Sequence, residues 1–217
     1  AGGNLPGIRH GGGSSGPMSM DIAELRSFYA GALGETARRF IARAAGQGWA
    51  DPSRLRLLGI GYPMPYLPGL ADGAERALAF LPGPAGPDGL WPATGRSLTA
   101  AADPLCLPLP DGSIDRILVV HALEHVETPS ELLHEAARVL TDAGRMILVC
   151  PNRRGLWARL DTTPFGQGQP FSRKQLRRLL RETSLAAEQW VETLYVPPFD
   201  RPMLLRSAAL WEGCGRT

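Results

Sequence analysis

Residues 110–152 read PDGSIDRILVVHALEHVETPSELLHEAARVLTDAGRMILVCPN, and this stretch decides the fold. The turn Pro110-Asp111-Gly112 leads into the apolar run Ile114 to Val120, which predicts a buried strand. Thr128-Pro129-Ser130-Glu131 then combines an N-cap, a proline at the first helical position and a capping-box glutamate. Leu132, Leu133, Ala136, Val139 and Leu140 follow on one helical face. Asp142-Ala143-Gly144 turns the chain into a second strand, Arg145 to Cys150. Strand, helix and strand with short connections predict a parallel pair joined by a right-handed crossover.

The same logic extends in both directions. Leu55 to Ile60 is a short apolar run that ends in Gly59-Ile60-Gly61, a strand meeting a tight turn, and Glu75 to Leu81 is a further strand closed by Pro82-Gly83-Pro84. Around Leu98 the pattern decides nothing. Asp21 with Glu24 resembles a capping box, and helical spacing runs from Leu25 through Phe28, Tyr29, Leu33, Ala37, Phe40, Ile41 and Ala44 to Gly46, with a break expected at Gly31 and Gly34. Ser172 and Gln175 cap a helix to Glu182 that puts Leu176, Leu179 and Leu180 inward and its basic residues outward. The runs Ala187 to Val196 and Met203 to Trp211, separated by Pro197-Pro198, are read as antiparallel edge strands. Residues 1–19 lack apolar periodicity and are read as a flexible leader, and residues 20–217 as one domain. The expected fold is therefore α/β and Rossmann-like: a doubly wound, mostly parallel sheet with antiparallel C-terminal edge strands and helices on both faces.

Composition narrows the class. The longest apolar runs fall far short of the roughly 20 residues of a membrane span, so a cytoplasmic protein with no membrane partner is expected. Cys106, Cys150 and Cys214 are far apart and form no Cys-x-x-Cys pair, which points to neither disulfides nor a thiolate zinc site. The formal charge is +2, yet residues 153–181 hold eight basic side chains against Asp161 alone. Lys174 is the single lysine, so general enrichment in arginine accounts for this face, and a nucleic-acid partner is not expected. An edge near Met203 to Trp211 would suit a protein partner or a homodimer.

In an open α/β sheet, ligands bind beyond the carboxyl ends of the strands. Gly59-Ile60-Gly61-Tyr62-Pro63 occupies that position after the first strand. Together with Pro110 to Leu118, His121-Ala122-Leu123-Glu124-His125-Val126 and Ala137 to Asn152, this order of motifs resembles the class I S-adenosylmethionine-dependent methyltransferases, specifically their type 11 group. The resemblance runs from about residue 21 to 195 and is most specific from Asp103 to Asn152. It implies S-adenosylmethionine as cofactor, held by Gly59, Ile60, Gly61 and Tyr62 on its methionine side and by Asp103, Pro104 and Leu105 at the adenine. His121 would border both the cofactor and the active-site mouth. It also implies a small-molecule or protein acceptor.

The departures from that pattern are specific. Leu57 stands where the group has an acid two positions before its first glycine, Pro63 replaces a glycine, and Phe80-Leu81-Pro82 ends the second strand where an acid binds the ribose. Losing one hydrogen bond from a charged group costs about 1.5–3 kcal/mol, a tenfold to hundredfold loss of affinity. A methyltransferase-like binding protein without catalysis is the alternative.

For an acceptor that must lose a proton, His121, Glu124 and His125 are the catalytic candidates. Tyr29, Asn152, Arg153 and Phe171 are the substrate-binding candidates, and Pro151 to Phe171 is long enough for a lid that also carries Trp157 and Phe165. His121-x-x-Glu124-His125 matches an inverted zinc-peptidase motif, a minor alternative. That motif needs one rigid helix, and Pro129 starts a new helix too soon after His125, so no metal is expected.

Overall fold

The structure is a computed structural model that describes residues 21–49, 53–83, 91–92, 97–199 and 207–215. The expected leader and the stretch Met203 to Arg206 lie outside them. Five strands, β1 (Arg56–Gly61), β2 (Arg76–Leu81), β3 (Thr99–Ala101), β4 (Ile114–Val120) and β5 (Leu140–Val149), form one sheet in the order β3-β2-β1-β4-β5. Every pairing is parallel. The helices are α1 (Ile22–Ala30), α2 (Ala32–Gly46), α3 (Leu67–Leu70), α4 (Pro129–Val139), α5 (Arg173–Glu182) and α6 (Ala208–Gly215).

Alternation along the strands sorts the core into two layers. Leu57, Leu118 and Val120 pack with Ala37, Phe40 and Ile41 of α2 on one face. Leu58, Ile60, Ile117 and Val119 pack with Leu132, Leu133 and Ala136 of α4 and with Leu176 and Leu180 of α5 on the other. Helices thus cover both faces, as the sequence implies. Among the described residues no helix is long and apolar enough to cross a membrane.

Local capping follows the sequence in part. Ser172 and Gln175 complete their capping box, and the first helical run breaks at Gly31. Asp21 caps the amides of Ala23 and Glu24, but the Glu24 carboxylate instead accepts from Gln167. The Thr128 hydroxyl bonds the Glu131 side chain and leaves the helix amides to the backbone. Asp142-Ala143-Gly144 is an irregularity within a longer β5, whose pairing shifts register between Ile114 and Arg116.

The C-terminal edge strands are the main correction. Residues 187–196 form no ladder, and the second run holds helix α6 where a strand was expected. The Glu212 carboxylate accepts the Tyr195 amide at 2.7 Å and the Thr193 hydroxyl at 3.0 Å, so a helix side chain takes the backbone donor that a strand would have paired. Leu194 also has φ +66, outside the extended region. Alanine, leucine and glutamate in Ala208 to Glu212 are good helix formers, a preference that outweighs their apolar run.

One contact fixes the geometry at the carboxyl end of the sheet. Gly61 has φ +89, and a Cβ there would lie 2.2 Å from the Val120 carbonyl oxygen. Only glycine lets β1 finish this close to β4. Gly61→Ala is expected to cost about 2–4 kcal/mol through strain and overlap, lowering Tm by roughly 5–15 °C. Gly69→Ala, where a Cβ meets nothing within 4 Å, is the control and should leave Tm nearly unchanged.

A second tie crosses the same strand pair at its other end. Asp115 accepts from the Arg56 amide at 2.9 Å and from its guanidinium at 2.9 and 3.0 Å, and these bonds lower its pKa to about 2. A carboxyl depressed in the folded state stabilises fully above its unfolded value, near 3.8, and loses that contribution as pH falls toward about 2. With Arg56 partly exposed, Asp115→Ala should cost about 1–2 kcal/mol at neutral pH. In urea titrations that difference should vanish at the acid end of the window.

Candidate functional site

The end of β1 and the end of β4 deliver two functional segments to one place. Beyond Gly61 the Tyr62 amide donates to the Val120 carbonyl at 2.8 Å, so the turn after β1 lies directly against His121. His121 itself has φ +50, a conformation costly for a residue with a side chain, and the chain then enters a 3-10 turn over Leu123–His125. These bends draw His121, Glu124 and His125 together: one ligand atom of each lies within 4.8 Å of the others.

Helix α1 supplies the next layer. The Tyr29 hydroxyl lies 2.8 Å from His121 Nε2 and 2.8 Å from the Tyr66 hydroxyl, and its ring stacks on Tyr62 with centroids 5.9 Å apart. Phe165 packs on the His121 ring at 4.8 Å and on Trp157 at 5.5 Å. The Trp157 indole donates to the Val196 carbonyl, so Trp157 is structural packing under the loop.

The electrostatics follow from burial. His121 and Glu124 are each 1% exposed, and His121 Nδ1 sits 3.4 Å from Glu124 Oε1. Among the described residues, neither Glu124 oxygen nor His121 Nδ1 has a hydrogen-bond partner. Burial, then Tyr66, raises the Tyr29 hydroxyl well above its ordinary pKa, and burial raises Tyr62. Both phenols are therefore neutral at physiological pH. Burial lowers the half-buried His125, against the opposing field of Glu124, which favours the neutral imidazole. Cys150, partly buried, is pushed up to about 12 by burial and Glu124 and is an unreactive thiol, while Cys106 is exposed.

The remaining candidates are dispersed. Asp103 stands exposed after β3, its carboxylate accepting the Leu105 amide at 2.9 Å, with Pro104 and Leu105 half-buried beside it. Asn152 bridges to Phe171, Arg153 reaches the Pro170 carbonyl, and Phe171 packs in the layer under α4 and α5. These three form the base of the 151–171 loop, apart from the His121 layer. Gly168 and Gln169 of that loop do approach it, with the Gln169 amide donating to the Glu124 carbonyl. Sequence reading missed Tyr66. The available signal was that three of the chain's four tyrosines, Tyr29, Tyr62 and Tyr66, lie in the two segments flanking the first strand.

The likenesses of this arrangement are consistent. Residues 91–148 match a family described as a methyltransferase domain. The 27-O-demethylrifamycin SV methyltransferase of Amycolatopsis mediterranei is 30% identical over 119 residues, 52% of this chain and 43% of that protein. The chain spans less than half the length of the curated relatives it matches. An S-adenosylmethionine-dependent methyltransferase from Thermotoga maritima superposes with a TM-score of 0.67 at 19% identity, over 83% of this chain and 86% of that one. Another from Aquifex aeolicus gives 0.63 at 16% identity, over 81% and 94%. The class I methyltransferase resemblance therefore holds: the fold is that of the superfamily, and the segment most specific to it carries the methyltransferase-domain match.

The positions that the resemblance assigns to the cofactor differ in how open they are. At those assigned to the adenine, Asp103 is exposed, with Pro104 and Leu105 half-buried. At those assigned to the methionine and ribose, the chain's own side chains take the space. Pro63 covers Gly59, where a Cβ would lie 2.4 Å from the proline ring, and the Tyr62 amide is already used by Val120. Leu81, fully buried at the ribose position, packs with Leu25 of α1 and with Tyr62.

Tyr29→Phe keeps the ring packing and removes the hydroxyl that bridges His121 and Tyr66. It should cost about 1–2 kcal/mol in chemical denaturation. An unchanged midpoint would mean that the bridge contributes nothing.

Proposed function

We propose that this chain is an S-adenosylmethionine-dependent methyltransferase domain acting on a small-molecule acceptor. The observation that carries this reading is the contact of the Gly61-Tyr62 turn with Val120 and His121, which brings the segment after β1 beside a buried His-Glu-His cluster. Asp103, Pro104 and Leu105 hold the adenine, and Gly59, Ile60, Gly61 and Tyr62 border the opposite end. Methyl transfer needs the donor and acceptor held in line more than it needs covalent help. Tyr29 and Phe165 bound the acceptor side, and removal of an acceptor proton falls to His121, Glu124 and His125. Arg153 and Asn152, both exposed, serve the outer rim beside Phe171. The relative named for demethylrifamycin supports a small-molecule acceptor over a protein one.

A second reading, a methyltransferase-like protein that binds but does not catalyse, is favoured by one observation. The packing of Leu25, Tyr62 and Leu81 fills the ribose end, so the cofactor enters only if that contact opens. Affinity should accordingly be weak.

Titration with S-adenosylhomocysteine separates the readings. Ligand at a hundredfold excess over Kd adds about 2.7 kcal/mol, a Tm rise of roughly 5–10 °C, and Asp103→Ala should reduce that rise. No shift at millimolar ligand contradicts both nucleoside readings, whereas binding without methyl transfer to any small-molecule hydroxyl supports the second.

A further inference from the structure

We infer that His121, Glu124 and His125 form a binding site for one divalent transition-metal ion, with zinc as the probe that suits it. The inference does not depend on the cofactor reading, because it rests on the three side chains alone. Glu124 is 1% exposed and, among the described residues, neither carboxylate oxygen has a hydrogen-bond donor. A carboxylate removed from water without donors is unfavourable, and structures pair such groups or place them on metals. The neighbouring unpartnered atom is His121 Nδ1, 3.4 Å from Glu124 Oε1. His125 completes the group, with the three ligand atoms within 4.8 Å of one another.

The spacing fits a small ion. Bonds of about 2.0–2.2 Å to a tetrahedral zinc leave donor atoms about 3.4 Å apart. The His121 and Glu124 atoms already stand at that separation, 3.4 Å, and closure on His125 from within 4.8 Å needs a shift of at most about 1.4 Å. Two imidazoles and one carboxylate are the donors of zinc and similar transition ions, neither the all-oxygen set of calcium nor the sulfur set of copper(I). Three protein ligands leave one position for a water or a substrate oxygen.

The surroundings orient the donors as metal sites do. His121 Nε2 is engaged by the Tyr29 hydroxyl, itself bonded to Tyr66, which leaves Nδ1 to face the cluster. The 151–171 loop closes over the far side: Gly168 has φ +75, a Cβ there would lie 2.5 Å from the Glu124 carbonyl oxygen, and His125 Nδ1 is 3.2 Å away. His125 is half-buried while its two partners are closed off, so an ion enters past His125. The sequence expectation of no metal assumed that residues 121 and 125 need one α-helix to converge. The positive φ at His121 and the 3-10 turn at Leu123–His125 bring them together without it.

The test uses the whole chain stripped with a chelator and dialysed, without cofactor or acceptor. Zinc is titrated by calorimetry, the bound ion is counted by plasma mass spectrometry, and cobalt(II) reports the donor set through its visible absorption. The expected result is one ion per chain, micromolar affinity or tighter, and a rise in Tm on binding. Glu124→Gln and His125→Gln should each weaken zinc by at least about tenfold while retaining the far-ultraviolet spectrum of the fold, and the exposed His134→Gln should bind as the unaltered chain does. No heat and no retained ion would overturn the site, leaving His121 and Glu124 as a plain buried pair. Zinc binding unchanged in Glu124→Gln and His125→Gln would also overturn it, as binding at the surface. Metal binding in a chain that ignores S-adenosylhomocysteine would uphold this site and end the methyltransferase reading, so the two fail separately.

Discussion

The close approach of two strand ends, Gly61 against Val120, is the constraint on which the rest of the structure depends. Parallel neighbours finish on the same side of a sheet, and Gly61 with Val120 is the last pair of the β1–β4 ladder. Here a positive φ at Gly61 turns the chain so that the Tyr62 amide caps the Val120 carbonyl, and the neighbouring backbone at His121 takes a positive φ in return. Tyr62, Tyr29, Tyr66 and His121 become one packed layer because of that junction. The aromatic layer then sets the position of α1 and, through Phe165, of the loop after β5.

The carboxyl ends of the strands are unevenly covered. Where β3 ends, the Asp103 turn remains exposed and keeps a carboxylate at the surface. Where β1 and β2 end, apolar and aromatic side chains take the space: Pro63 against Gly59, and Leu25 against Leu81 and Tyr62. The sheet keeps the form of the superfamily, while the positions that the resemblance assigns to the ribose are packed as core. Burying Leu81 against Leu25 and Tyr62 stabilises the docking of α1 on the sheet.

The parallel sheet and its helices were legible in the sequence because each depends on a local, periodic signal. Ile114 to Val120 is a strand with its expected bounds, and Ser172 caps its helix as read. Position along the chain also identified His121, Glu124 and His125 as one group. What sequence did not carry was convergence. The 3-10 turn and the positive φ at His121 are backbone choices without a residue signature, so three side chains read as needing a helix meet without one. Tyr66 was missed for the same reason: its partner Tyr29 is 37 residues away. The C-terminal strands failed because an apolar run does not distinguish strand from helix. There a single carboxylate, Glu212, captures the donors of Thr193 and Tyr195.

The most direct measurement of the central junction is native-state hydrogen exchange at the Tyr62 amide, read by nuclear magnetic resonance. Bonded to Val120 and shielded by the tyrosine layer, it should exchange as slowly as the amides of Ile117 and Leu118 inside β4. Exchange at the rate of an open loop amide would mean that β1 and β4 do not close on one another, and the layer built on that closure would have no foundation.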